Sequence, residues 1–349
     1  MACMQRRDVL FRGLGCGLAA LSPAALRAAP SVLRVMTHNS FDLPRELLAR
    51  FEQEAGVRLQ LVKAGDAGEM VNKLILTKAR PIADLVYGID NTLLPRALQA
   101  GVLEPYTGPA ASRAAAAELG EGVVPVDYGF VCLNVDKAWF AASGLALPTS
   151  LEDLARPAYA KLLVVQNPAT SSPGQAFLMA TIAGLGEEEA FAWWARMRAN
   201  GVKVVRGWTE AYYTEFTRNG GTRPIVLSYA SSPAAEVFYS KTPLAEAPTA
   251  NLFIRGGVFR QVEGVALVRG GNPAAREAAG RFIEFLRSPA VQQALQTTMW
   301  MYPAEAGAPL AEVMREHATP PTGFDNPDPA RMQAQARAWV QRWSRVVLK

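Results

Sequence analysis

The sequence predicts an α/β fold of two lobes, each a mostly parallel sheet flanked by helices, with a cleft between them. Three observations carry this expectation. Short apolar runs of strand length alternate with helical patterns from residue 32 to residue 88. The alternation resumes beyond Gly129. No solenoid-type repeat and no long low-complexity linker separates the two sets, so the units pack closely. In order, residues 32–37 read as a strand, 43–55 as a helix, 59–62 as a strand, 70–77 as a helix and 85–88 as a third strand. The second set holds strands at 162–165, 202–205 and 225–228, with helices at 176–184 and 187–200 between them. Residues 265–268 form another strand and 273–287 a helix, and the Pro-rich stretch 319–329 is a loop. A closing helix at 333–347 places Trp339 and Trp343 on one face at i, i+4 spacing, as core residues.

The first residues carry an export signal. Arg6 and Arg7 are adjacent, an apolar stretch interrupted by Arg12 runs to Leu21, and Ala28 and Ala29 offer a small-residue cleavage point. A signal peptide over residues 1–29, of the twin-arginine type, and a periplasmic location are expected. The stretch is shorter than the roughly 20 apolar residues of a membrane span. The 349 residues carry a formal charge of +5, of which Arg6, Arg7, Arg12 and Arg27 against Asp8 contribute +3, leaving +2 beyond the leader. No basic surface of the nucleic-acid-binding kind follows from that balance. Cys3 and Cys16 lie in the leader, which leaves Cys132 alone and excludes an internal disulfide.

No catalytic constellation can be assembled. His38 and His317 are the two histidines, and H-E-x-x-H, G-x-S-x-G and G-x-x-x-x-G-K motifs are all absent. Four loops instead carry signals of binding. Residues 207–213, Gly-Trp-Thr-Glu-Ala-Tyr-Tyr, set large rings beside a carboxylate, a pairing that suits an organic cation; for Trp208 alone, packing at a helix start is the ordinary explanation. Residues 170–174 and 230–234 each place Ser-Ser-Pro between an apolar strand and a helical stretch. They read as serine-capped helix starts with Pro in the first turn, and two such N-termini converging on one cleft would suit an anion. Residues 63–69 form a Gly-rich strand-to-helix turn with Asp66 and Glu69.

In their order and spacing, residues 32–41, 83–91, 127–130, 167–174, 207–212, 227–229 and 300–303 resemble the thiamine-binding proteins that serve bacterial ABC importers, within the type II periplasmic binding-protein fold. The resemblance spans nearly all of the chain after the leader. It implies a monomeric, non-enzymatic receptor, without cofactor or metal, that closes on thiamine, thiamine monophosphate or thiamine diphosphate and delivers it to an inner-membrane ABC permease. It implies lobe I from residues 30–127 and 258–349, the latter including the C-terminal helices, and lobe II from residues 128–257. Carried over residue by residue, it places Asp66 and Ala67 at the first-lobe contact, Ser171 and Ser172 on the phosphate side, Trp208 as a ring, and Tyr229, Ala230, Ser231 and Ser232 in a fourth contact segment. Trp300 falls where the family has a cleft aromatic. The ligand rings are then expected against Trp208, Tyr229 and Trp300, with Asp66 near a polar or cationic part of the ligand. The chain departs from the pattern at Ala67, where glycine is usual, at His38, where tyrosine is usual, and at Ala235, where the family can have tyrosine. Within the same fold, His38, Tyr212 and Tyr213 leave a ferric-iron receptor open, and Asp66, Glu210 and Glu236 leave a polyamine receptor open. An exported phosphate-ester hydrolase is the alternative from another class.

Overall fold

A computed structural model of the protein describes residues 31–113, 115 and 118–349; the expected leader at 1–29 lies outside them. The strands are β1 (Ser31–Thr37), β2 (Val57–Lys63), β3 (Leu85–Asp90), β4 (Leu103–Glu104), β5 (Val124–Asp136), β6 (Leu163–Gln166), β7 (Lys203–Val205), β8 (Ile225–Tyr229), β9 (Thr249–Leu252), β10 (Phe259–Val268) and β11 (Tyr302–Pro303). Their order is β2, β1, β3, β10, β5, β8, β6, β7, with β4 on β10 and both β9 and β11 on β5.

Two parallel triplets, β2-β1-β3 and β8-β6-β7, are the alternating units of the sequence. Between them run β5 and β10, which are antiparallel to each other and to the triplet strand each meets. Both are long, at 13 and 10 residues, and the pairing shifts register beside Glu263 and Gly264. A bulge of that kind bends a strand and sharpens its twist, which lets one pair of strands serve two differently oriented sheets. The result is a two-lobed α/β molecule with the cleft lying over the crossing strands.

Each triplet has its own core. Leu33, Val35, Leu85, Tyr87 and Phe282 are buried together on the first, with Met36, Met70, Val71 and Val86 on its other side. Leu163, Val165, Phe177, Trp193 and Trp194 fill the second. The C-terminal helix Pro329–Val347 corrects the expected grouping with lobe I. Trp339 and Trp343 are core residues, as their spacing indicates, but the core is the second one, where Trp343 meets Trp194 edge-on at 5.5 Å. Sequence adjacency to the return segment hid this because the helix carries an apolar face that either core would accept. Among the described residues no helix is long and apolar enough to cross a membrane.

Helices Ser172–Leu185 and Ser232–Phe238 begin at the two Ser-Ser-Pro loops, with Ser171 and Ser231 in the N-cap position and proline second in the helix. Neither serine caps through its hydroxyl, so simple capping does not account for them. Cys132 is buried and unpaired, and burial raises its thiol pKa far above the usual range.

Candidate functional site

A cavity of about 550 Å³ opens where the ends of β1, β2, β8 and β10 meet the loops after β7 and before β11. Of the residues singled out from sequence, His38, Asp66, Ala67, Ser172, Trp208, Tyr229, Ser231, Ser232 and Trp300 line it. Ser171 and Ala230 do not: both are fully buried behind the wall, and Ala230 joins β5 through its backbone N–H, which donates to the Phe130 carbonyl at 2.8 Å.

One wall is aromatic. After β7 the chain makes a short turn at Trp208–Glu210 that runs into a π-helical turn at Ala211–Glu215, a local widening often found at functional sites. It stacks Trp208 on Tyr212, with centroids 5.1 Å apart and planes at 21°, and sets Tyr213 edge-on. Trp208 Nε1–H donates to Ser228 Oγ at 2.8 Å, and Ser228 exchanges a hydrogen bond with Ser232 at 2.9 Å. The indole is thus held upright rather than left to pack freely. Opposite, Trp300 has φ of 60°, a left-handed conformation that a bulky residue adopts only under constraint. The Ser231 hydroxyl supplies one, donating to the Trp300 carbonyl at 2.5 Å. Phe238 and Tyr239 meet the Trp300 ring edge-on at 5.3 and 5.5 Å.

A second wall joins the two lobes. Asp66 caps helix Ala67–Leu76 in a capping box with Glu69. Its Oδ1 accepts from Ala67 N–H at 2.7 Å and from Ser172 N–H at 3.4 Å, and its Oδ2 from Trp208 N–H at 2.9 Å. Glu69 N–H donates to the Thr170 carbonyl at 3.0 Å, and the Glu69 carboxylate pairs with Arg206. Burial raises the Asp66 pKa against the opposing effect of these N–H groups. The Ser171 hydroxyl lies near enough to steady the Asp66 charge yet makes no well-formed hydrogen bond. Asp66 therefore already spends much of its acceptor capacity on the opposite lobe.

The floor is acidic. Glu263 of β10 lies in register with Asp90 of β3 on one side and Asp127 of β5 on the other. Tyr87 Oη–H donates to Asp127 Oδ2 at 2.5 Å and stands 3.3 Å from Glu263 Oε2. Gln261 Nε2–H donates to Asp90 Oδ2 at 2.5 Å and approaches Ser172 Oγ and Glu263 Oε1 at 3.1 and 3.3 Å, while Tyr229 Oη–H donates to Gln261 Oε1 at 3.0 Å. Burial, and then Glu263, push Asp90 up to about 6 and Asp127 well above the carboxylate range. His38 Nε2 is 3.6 Å from Glu263 Oε2. Burial opposes charge on His38, but Glu263, Asp66 and Asp90 together outweigh it and raise the pKa. The ring fits because residue 88 is glycine at φ +95°, and a Cβ there would overlap it.

Glu263, Tyr239, Met299, Met301 and Arg206 also line the cavity and were not singled out from sequence, whereas Tyr212, Tyr213, Glu210 and Glu236, named there for iron or a polyamine, line it too. For Glu263 a signal exists: Gln261 and Glu263 stand two apart, on one face of a strand that is apolar from Val265 to Val268. Tyr212 donates to Glu236 Oε1 at 2.8 Å, so its phenol is already engaged, and Tyr213 is exposed. Among the described residues no cluster of three or more His, Cys, Asp or Glu side chains is disposed to hold a metal ion. The arrangement can hold a flat cation: rings on two sides, carboxyls beneath.

A sequence profile described as bacterial extracellular solute-binding protein matches residues 80–327. The chain is 32% identical over 330 residues to the thiamine-binding periplasmic protein of Salmonella typhimurium, covering 93% of this chain and 96% of that one. It superposes on a solved periplasmic thiamin binding protein with a TM-score of 0.78 at 30% identity, covering 91% of this chain and 96% of that chain. A ferric binding protein from Campylobacter jejuni matches with a TM-score of 0.71 at 19% identity, over 90% of this chain and 99% of that one, which is a likeness of fold.

Proposed function

The chain belongs to the bacterial extracellular solute-binding proteins, and from that membership we propose that it is a periplasmic receptor for thiamine, free or as its phosphates, that delivers its ligand to an inner-membrane ABC permease. The observation that carries the reading is the pairing of a stacked Trp208–Tyr212 wall with a buried carboxyl floor in one cavity of about 550 Å³. Thiamine is a flat aminopyrimidine joined to a thiazolium that carries a fixed positive charge. Such a ring gains roughly 0.5 to 2 kcal/mol over an aromatic face, more as water is excluded. Trp208, Tyr229 and Trp300 take the rings, and the serine loops take the hydroxyl or phosphate end. Lobe I comprises residues 30–127 and the return from 258, lobe II residues 128–257, and the C-terminal helix packs back on lobe II. Closure buries the ligand between them. The leader at 1–29, cleaved near Ala28 or Ala29, directs export.

Calorimetric titration of the mature protein, unfolded and refolded to strip ligand, tests this with thiamine, its monophosphate and its diphosphate. Tight one-to-one binding is expected, and the order of the three reads the serine end of the site. No heat with any of them overturns the reading and turns attention to ferric iron and polyamines.

A further inference from the structure

Three acids side by side across the middle of a sheet are an unusual thing to bury. Asp90, Glu263 and Asp127 stand on adjacent strands β3, β10 and β5 in direct register, and they are 0, 5 and 0% exposed. Like charges opposite one another destabilise a sheet, and in a dry site they cannot all ionise. The groups that face Glu263 are His38 after β1, Tyr87 and Asp90 on β3, Asp127 on β5 and Tyr229 on β8, with Asp66 at its helix N-terminus acting on His38 and Tyr229. Arg96, whose guanidinium feels Asp90, donates to the Gly68 carbonyl at 3.1 Å. His38, 9% exposed and lining the cavity, leaves Nε2 without a hydrogen-bond partner 3.6 Å from Glu263. The row thus sets three acids against a single imidazole, and Glu263 brings it to the cavity floor where a ligand would lie.

We infer that Glu263, backed by Asp127 and Asp90, is the charge-balancing element of the binding site, and that a bound organic cation takes the place of a proton there, so that capture expels a proton to solvent. The inference rests on the proposed thiamine reading and adds to it a demand on the ligand: the same shape without a fixed positive charge is a poor occupant. Without ligand, Asp127 retains a proton, because it is fully buried beside the Glu263 carboxylate and the two repel. A thiazolium above Glu263 supplies the compensating charge, and the proton leaves through the cavity mouth.

Titration of the full mature chain with thiamine at pH 6, in buffers of differing ionisation enthalpy, counts the protons directly. Release of about one proton is expected, with an association constant that climbs between pH 5 and 7 at up to about tenfold per unit, the limit for one linked proton. Deazathiamine, the neutral isostere with thiophene in place of thiazolium, should bind at least about tenfold more weakly and release none. Asp127→Asn removes the carboxyl that retains the proton, so proton release by that variant should fall by half or more. Tight thiamine binding with no proton released and a flat pH profile overturns the inference and leaves the functional reading standing. Undiminished release in Asp127→Asn also overturns it, because the proton then comes from elsewhere. No heat with thiamine at any pH overturns both.

Discussion

At the scale of single residues, Trp208 separates a packing role from a binding one. Its ring stacks on Tyr212 and its N–H is held by Ser228, but it is only partly buried at the cavity wall and is absent from the fully buried set. Trp208→Ala should therefore cost little stability and much affinity. Loss of a stacked cation–aromatic contact amounts to roughly 1.5 to 3 kcal/mol, or about 10- to 100-fold in binding. Calorimetry reads the affinity and thermal denaturation the fold; an unchanged affinity would assign Trp208 to packing alone. Trp208 was legible in the sequence because rings beside a carboxylate in a loop stand out, while Trp300, between two methionines, was found only through the family resemblance. Glu263 was not read as a contact, since after Arg260 and Gln261 it looks like the polar start of the strand Phe259–Val268. That β10 sits between two other acid-bearing strands is a fact of register, which the sequence of one strand does not contain.

At the scale of elements, the approach of helix Ala67–Leu76 to the loops at 170–172 and 206–208 is the contact that closes the cavity. The turn at 63–69 reads in sequence as ordinary strand-to-helix punctuation, and locally it is one, with a capping box as its signature. What the sequence conceals is that the same Asp66 carboxylate serves the opposite lobe through Trp208 N–H and Ser172 N–H. Gly68 carries the consequence. A Cβ there would stand 2.5 Å from the Thr170 carbonyl carbon and 2.6 Å from its oxygen, backbone atoms that cannot swing aside. Gly68→Ala should leave the separated lobes intact while blocking their approach, since alanine favours the helix that Gly68 interrupts. Affinity scales with the closed fraction, so a loss of at least about tenfold is expected, together with a smaller ligand-induced decrease in radius of gyration by X-ray scattering. Wild-type affinity in Gly68→Ala would show that binding does not require this approach.

At the scale of the whole molecule, alternation exposed the two parallel triplets because each strand is paired with its own helix in sequence, whereas β5 and β10 escaped full reading because they belong to both halves at once. The crossing strands also carry the buried acids, and these set how stability depends on pH. Asp90, Asp66 and Asp127 have pKa values above the ordinary Asp range, Asp90 at about 6, and His38 is raised as well. Above roughly pH 4, where carboxyls of the unfolded chain have lost their protons, the folded chain still holds protons at these positions, so stability falls as pH rises through the folded values. His38 adds in the same direction, contributing below about 6.5 and losing its contribution as pH climbs past its folded value. Asp84 works the other way: burial raises its pKa, but the Arg34 guanidinium at 2.6 Å more than compensates and lowers it, so its contribution is lost only as the solution becomes strongly acidic. The ligand-free protein should accordingly melt at a higher temperature near pH 5 than at pH 7.5, by several degrees, in calorimetric scans at fixed ionic strength. A midpoint that is flat or rises toward pH 7.5 would mean that the buried row ionises freely in the folded state. Saturating thiamine should shrink or reverse the difference, because the bound cation takes over at neutral pH the compensating role that protons play at pH 5.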